Sequence, residues 1–588
     1  MVIFILLLLP EYSFAQQAGV PLNYEWIQES EAQMVKNKGF LLDGNFFRSD
    51  ADTMLNRAAD TANVPGGIFD DILAASFPMQ TSMRPWIEQG HPLRKNVIDQ
   101  NNGRDVYGNL WNDHGNGFVR WVRRYHNYQS LLQVERQPQN EEPVFHLYID
   151  PLLNMQYMNV NDDTSSSQFY INTRGITAHG DIGSKVSFET SFWENQAFFP
   201  QYIADFANAT QVIPGQGRWK TFKKTGYDFA SASGYISYSP CRFFNVQLGS
   251  GKFFVGDGYR SLLLSDNCFN YPFARFTGWF GPDKLFQYSA IYASLMNLQV
   301  NAPIPVGTEH LYQKKAASFQ QLAMKIGRIG EISLFQGLIW TAADDKNKQS
   351  LTLAYLDPVM FTALPAYGLS DRHNFLLGGT FRFDLLRTLR LYGQVLADDL
   401  GKKGTVHHKT GFQLGVKYFD AFTLKHLHLQ FELNRVNPYA YAATDPDQSY
   451  THYNQPLAHP LGANFTEIST SLQYKIGDFF LQARYSTATI GADSVNADNN
   501  GQNVFKTDYL AYYPVNGQSY KVGQGEKNTV TYLDLRIGYM VSYASNFNIA
   551  VGYVSRNVVA NATSSPTSYV YVAARTSLTN TYYDFFRK

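Results

Sequence analysis

Charge, cysteine and long apolar runs are all scarce in this sequence. Asp, Glu, Lys and Arg make up 17% of the 588 residues, against roughly a quarter in soluble globular chains. Cys241 and Cys268 are the only cysteines, which excludes a disulfide scaffold and a thiolate metal centre. None lies near residue 15, so no lipid anchor is expected on a mature N-terminus. One apolar run stands out, Val2-Ile3-Phe4-Ile5-Leu6-Leu7-Leu8-Leu9, shorter than the ~20 residues a membrane helix needs. With Ser13-Phe14-Ala15 after it, a small-x-small pattern, residues 1–15 read as a signal peptide. The usual positive n-region is missing, which points to a start upstream of Met1. No later stretch is long enough to span as a helix, so any membrane location has to be built from strands.

Lys+Arg and Asp+Glu balance at 49 each, which argues against nucleic acid, a partner that needs a net basic surface. Aromatics and glycine are plentiful instead: 39 Tyr, 43 Phe and 44 Gly, at a mean hydropathy of -0.28. A helical membrane protein would be more hydrophobic and a soluble enzyme more charged. A transmembrane barrel satisfies both observations, because only alternate residues of its strands meet lipid.

Periodicity divides the chain near residue 144. Between 16 and 143, Phe118, Trp121, Val122, Tyr125, Tyr128, Leu131 and Leu132 fall at helical spacing, and 23–36 also favours helix. This segment is expected to be a partly helical periplasmic or plug region. From 144 to 588 the period is two. Leu533, Leu535, Ile537, Tyr539 and Val541 alternate with Tyr532, Asp534, Arg536 and Gly538, and 426–433 and 468–476 repeat the pattern. About 18 such segments start near 144, 167, 183, 226, 242, 272, 284, 316, 329, 373, 388, 407, 425, 465, 477, 528, 545 and 568, the even number that a bacterial single-chain barrel requires. Short turns are expected at Gly180-Asp181, Ser239-Pro240-Cys241, Gly281-Pro282-Asp283, 384–387, Gly477-Asp478 and Tyr543-Ala544-Ser545. Long connections fall between them, which puts both termini on the periplasmic side of a bacterial outer membrane. The final strand is expected to end in Tyr582-Tyr583-Asp584-Phe585-Phe586. The two cysteines, at opposite ends of one strand, should stay unpaired.

Catalytic signatures are weak. Gly249-Ser250-Gly251-Lys252 lacks phosphate-loop spacing, and neither HExxH nor GxSxG occurs. His407-His408 would point to opposite faces of a strand, a poor chelate. No catalytic residue, metal site or cofactor is expected. One stretch is unusual for a surface loop: Gly256-Asp257-Gly258-Tyr259-Arg260-Ser261, running on to Asp266-Asn267. It reads either as a loop folded inward to close the lumen, with Asp257 and Arg260 paired to each other, or as a glycan surface. In the second reading Asp and Asn accept sugar hydroxyls, Arg donates and Tyr259 stacks.

The 256–267 stretch resembles the signature of the Wzi-like capsule-assembly outer-membrane family, and within it the RemB branch of gliding-motility proteins. Two further blocks are similar: Leu356-Asp357-Pro358 with Asn374 and 391–399, and Tyr450-Thr451-His452-Tyr453-Asn454 continuing to Gly462. The resemblance covers roughly 144–586, with Ala458 where a Gly is usual before His459. It implies an 18-stranded barrel occluded by helices and loops, holding cell-surface polysaccharide without catalysis and contributing to gliding. Implied partners are polysaccharide, outer-membrane lipid and gliding machinery or surface adhesins. Glycan-contact or lumen-closing candidates are Asp257, Tyr259, Arg260, Ser261, Asp266, Asn267, His452, Tyr453 and Asn454. The rival reading is a substrate-specific porin for small solutes such as sugars.

Overall fold

The computed structural model describes residues 145–584 apart from parts of the connecting segments, and before them four short strands. The signal segment, His407-His408 and the helical reading of 16–131 lie outside the described residues. Leu132, expected to close a helical face, instead opens a strand, Leu132–Arg136.

Eighteen strands close into one antiparallel up-and-down barrel. They are β1 (Phe145–Asn161), β2 (Phe169–Ile182), β3 (Val186–Phe198), β4 (Gly226–Cys241), β5 (Phe244–Gly251), β6 (Tyr271–Phe280), β7 (Phe286–Asn297), β8 (Gln313–Ile326) and β9 (Gly330–Thr341). The second half comprises β10 (Asn374–Leu386), β11 (Leu389–Asp398), β12 (Lys409–Tyr418), β13 (Leu427–Val436), β14 (Phe465–Ile476), β15 (Phe479–Ala492), β16 (Glu526–Ser542), β17 (Phe547–Ala560) and β18 (Thr563–Arg575). Each pairs with the next, and β18 returns to β1 from Ser568↔Asn161 to Arg575↔Asn154. Every expected segment has its counterpart.

Alternation explains the two faces. On β17, Ile549, Val551 and Tyr553 are exposed on the outside while Asn548, Ala550 and Val554 are buried within. On β18, Val570 and Val572 point out and Tyr569, Tyr571 and Ala573 point in. Large apolar side chains continue round the wall at Leu535, Ile537, Leu481, Phe431, Leu414, Val395 and Leu334. A monomer in water does not leave a continuous apolar belt of this kind open, whereas a lipid-facing barrel must.

Connections differ sharply between the two ends. One end has 183–185, 242–243, 281–285, 327–329, 387–388, 419–426, 477–478 and 543–546; the other has 162–168, 199–225, 252–270, 298–312, 342–373, 399–408, 437–464, 493–525 and the single short link 561–562. Three expected turns are displaced by continued pairing. Gly180 and Asp181 still pair within β2–β3, Cys241 pairs with Phe244 across a bulge that accommodates Pro240, and Leu386 pairs with Leu389.

The C-terminal expectation needs correction. β18 stops at Arg575, and Tyr582 and Asp584 are buried inside the barrel. Strand Leu132–Arg136 already pairs with Phe145–Ile149 of β1, so the edge that a longer β18 would need is occupied. The aromatic tail turns into the lumen.

Two elements from the long-connection end fill that lumen. Helix α1 (Gln201–Thr210) buries Tyr202, Ile203 and Ala207 among Met158, Phe229, Tyr532, Val554 and Tyr569. The 252–270 connection buries Phe253, Val255, Leu262, Leu263, Leu264 and Cys268 against inward residues of β6–β11. The Asp357-Pro358 pair lies on the outer wall instead: Asp357 O accepts from Gln320 Nε2 at 2.6 Å and Pro358 O from the Tyr288 hydroxyl.

Candidate functional site

Most of the candidate side chains sit where the inserted loop is bolted to the wall. At its tip, Glu432 of β13 accepts the backbone N–H groups of Tyr259 (2.7 Å) and Arg260 (3.1 Å). The Tyr392 hydroxyl also donates to Glu432, at 2.8 Å. Gln394 of β11 works both ways, accepting from Leu262 N at 2.7 Å and donating to Val255 O at 2.7 Å. Ser261 Oγ donates to Val255 O at 2.7 Å and accepts from Leu263 N, closing the bend on itself. Gly256 has φ +106, and a Cβ there would lie 1.9 Å from Gln394 Nε2, so the loop's approach requires glycine on both counts.

Asp257 and Arg260 are both buried and ion-paired, but not with each other. Arg382 Nη1 lies 3.4 Å and Arg390 Nη1 3.8 Å from Asp257 Oδ1. Arg260 Nη2 lies 3.3 Å from Glu467 and 2.8 Å from Asp584 of the C-terminal tail. The two residues are neighbours in sequence, and the wall offers each a nearer partner. Tyr259 stacks edge-on against Tyr582 at 5.4 Å and lies under the Arg484 guanidinium, 3.9 Å from its ring centroid. Tyr582 in turn donates to Asp266 Oδ1 at 2.7 Å. Loop, tail and wall thus form one network. Of these residues, sequence reasoning identified the loop; it did not foresee the tail.

His452, Tyr453 and Asn454 serve the other end of the plug. His452 Nδ1 accepts from Met296 N at 3.1 Å, which leaves the hydrogen on Nε2, 3.3 Å from Asn270 O. Burial drives its pKa down to about 3. Asn454 accepts from Leu298 N at 3.0 Å and donates to Thr210 O at the end of α1 at 2.9 Å. Asn267 donates to Pro456 O at 3.2 Å. After Ala458, the turn is made by His459 and Gly462 (φ +74): Gly462 N donates to His459 O at 3.0 Å. Position 458 is buried and does not itself carry the positive φ.

Tyr453 is half-buried at the mouth. Its ring packs on Phe269 with centroids 4.9 Å apart. Close by, the exposed Arg218 guanidinium sits over Tyr312, 5.2 Å from its centroid, and lies near enough to Tyr453 to oppose the upward push of burial on that hydroxyl. Arg218, Phe269, Tyr312 and Tyr453 come from four different connections at one end of the barrel. No local signal in the sequence could have gathered them.

A closed antiparallel barrel with an apolar outer belt is the architecture of outer-membrane proteins. No helix among the described residues is long and apolar enough to cross a membrane. No protein-family model matches the sequence, and neither does any curated protein. Among solved structures, the chain is similar to Wzi of Escherichia coli, described as an outer membrane protein involved in group 1 capsule assembly and a carbohydrate-binding β-barrel. The identity is 12%, the TM-score 0.47, and the match covers 96% of this chain and 100% of that one. It is also similar to OprD of Pseudomonas aeruginosa (10% identity, TM-score 0.39, 73% and 94% covered). OpdK of the same organism, solved with vanillate, gives 9%, 0.40, 73% and 98%. At these distances the fold assignment rests on the closed strand ladder itself.

Proposed function

We propose that this chain is a non-enzymatic barrel of the bacterial outer membrane that holds cell-surface polysaccharide at its extracellular mouth, with both termini periplasmic. The observation that carries the reading is the packed lumen. Phe253, Leu262, Leu263, Leu264 and Cys268 have no solvent exposure, which leaves the mouth as the working surface and weighs against a diffusion channel. In this reading Asp257, Tyr259, Arg260, Ser261 and Asp266 keep the lumen shut. Glycan contact falls to Tyr453 and Asn454 with Phe269, Tyr312 and Arg218, where rings can stack on sugar faces and the guanidinium can donate. Residues 1–15 act as signal peptide, 16–143 as a periplasmic plug region and 144–588 as the barrel. The resemblance to the Wzi-like family supports the polysaccharide, and its RemB branch alone supports a part in gliding, with gliding machinery or surface adhesins as partners.

A strain lacking the protein, complemented with native or Tyr453→Ala/Arg218→Ala protein, tests the assignment. Capsule staining should fall in the null strain and in the double variant at equal barrel level. Retention unchanged in both would refute it. Colony spreading scored in parallel tests the gliding part separately.

A further inference from the structure

The outer wall is not uniform above its apolar belt. On β2–β4 the outward rows climb from Ile176–Phe192–Ala232 to Arg174–Glu194–Ala230, then to Asn172–Gln196–Asp228, and end at Tyr170–Phe198. A small hairpin, Lys220–Phe222 paired with Gly226–Asp228, stands at the same height. It brings Phe222 to 6.0 Å from Phe198, which is 5.2 Å from Tyr170. Lys223 lies over both phenyl rings, 5.1 Å from Phe222 and 6.0 Å from Phe198. Lys220, Lys223, Lys224 and Arg174 are all exposed. No carboxylate of the described residues forms an ion pair with any of the four; Glu194 and Asp228 are the acidic groups on these rows.

We propose that this face binds the anionic sugar headgroup of an outer-leaflet glycolipid. The position selects a lipid-anchored ligand, because the rows begin directly above lipid-facing Ile176 and Phe192 and look sideways along the membrane. The chemistry selects its headgroup. Lysines on flexible stems are point charges suited to phosphate, and each one held near an anionic bilayer surface strengthens binding roughly fivefold. An aromatic row three rungs above the belt offers flat faces for sugar rings, and Asn172 and Gln196 can share hydroxyls. The chain as a whole is neutral, so the attraction is local to this face. It does not depend on what the mouth binds.

The test uses the full-length barrel, stripped of lipid in detergent and titrated by native mass spectrometry with a bisphosphorylated diglucosamine lipid. Its dephosphorylated form and inorganic phosphate are the parallel probes. The phosphorylated lipid should bind far more tightly than the dephosphorylated one. Lys220→Gln/Lys223→Gln/Lys224→Gln should weaken it on the order of a hundredfold, the product of three such contributions. In the native protein, raising the salt should produce a loss in the same direction, a readout independent of how the variant folds. Equal binding of the two lipids, or binding unmoved by both the triple variant and salt, would overturn the proposal. So would displacement of the lipid by equimolar inorganic phosphate, which would mark a free-anion site.

Discussion

The loop from Gly256 to Asn267 carries Asp257, Arg260 and Asp266, whereas the loop from Tyr450 to Gly462 carries no Asp, Glu, Lys or Arg; the first works deep in the barrel and the second near its mouth. The difference lies in the wall each one meets. Glu432, Glu467, Arg382, Gln394 and Tyr392 project inward at the level of the first loop and satisfy its backbone and charges one by one. The second loop meets mainly backbone groups, at Met296, Leu298, Asn270 and Thr210. A buried charge is tolerable only with such partners, so the inserted loop and the wall are specified together. The loop at the mouth leaves Tyr453 and Asn454 partly open, as a contact surface needs.

The comparison predicts an ordered series of effects. Arg260→Ala takes the paired cation away from buried Asp584 and Glu467, and removing one partner of a buried pair costs about 3–5 kcal/mol. The variant should unfold at clearly lower temperature in heat-modifiable gel migration. An unchanged transition would mean that the network does not secure the plug. Gly256→Ala forces a side chain into positive φ against Gln394 and should cost roughly 1–3 kcal/mol, read in the same assay. Tyr453→Ala should cost no more than about 1.5 kcal/mol, the upper worth of an aromatic pair beyond burial. If it destabilised the barrel as much as Arg260→Ala, the division between deep and rim loops would fail.

Acid should act on the second loop through His452. Its folded pKa of about 3 lies below the ordinary 6.5, so the unfolded chain takes the proton first. The stability that His452 contributes is therefore complete above about pH 6.5 and is lost as pH falls toward 3. His459, also held below its ordinary value by burial against the pull of Glu467, acts in the same direction. Thermal transitions measured from pH 7 to 4 should drop, and His452→Gln should flatten the drop. A pH-independent transition would contradict the neutral, buried tautomer.

Much of the barrel was legible because lipid imposes a period of two on every strand, and Thr529–Val541 or Leu427–Leu433 show that period without interruption. Loop conformation was not legible, because no period reports whether a polar loop turns outward or inward. Asp257 and Arg260 look like a local pair in sequence, whereas their partners lie more than a hundred residues away, on β10 and β11 for Asp257 and on β14 and the C-terminal tail for Arg260. Helix α1 left a faint signal, Tyr202, Ile203, Phe206 and Ala207, too short to separate from a loop. The tail misled because aromatic residues suit a final strand as well as a lumen, and only the occupied edge of β1 decides between them. The cysteines were readable from strand phase. Cys241 closes β4 at one end and Cys268 lies beyond β5 at the other, roughly 26 Å apart at about 3.3 Å per residue over the intervening strand, and both are free thiols. Burial pushes Cys268 up to about 12, so it should resist alkylation in the folded barrel and react after denaturation without reductant.

The central claim is that the 252–270 loop shuts the lumen, and single-channel recording in planar bilayers tests it most directly. Native protein should give no steady conductance, while a variant with 253–267 replaced by a short glycine–serine bridge should open stable channels. Steady open channels from the native barrel, at the same level as from the loop-deleted one, would contradict the account.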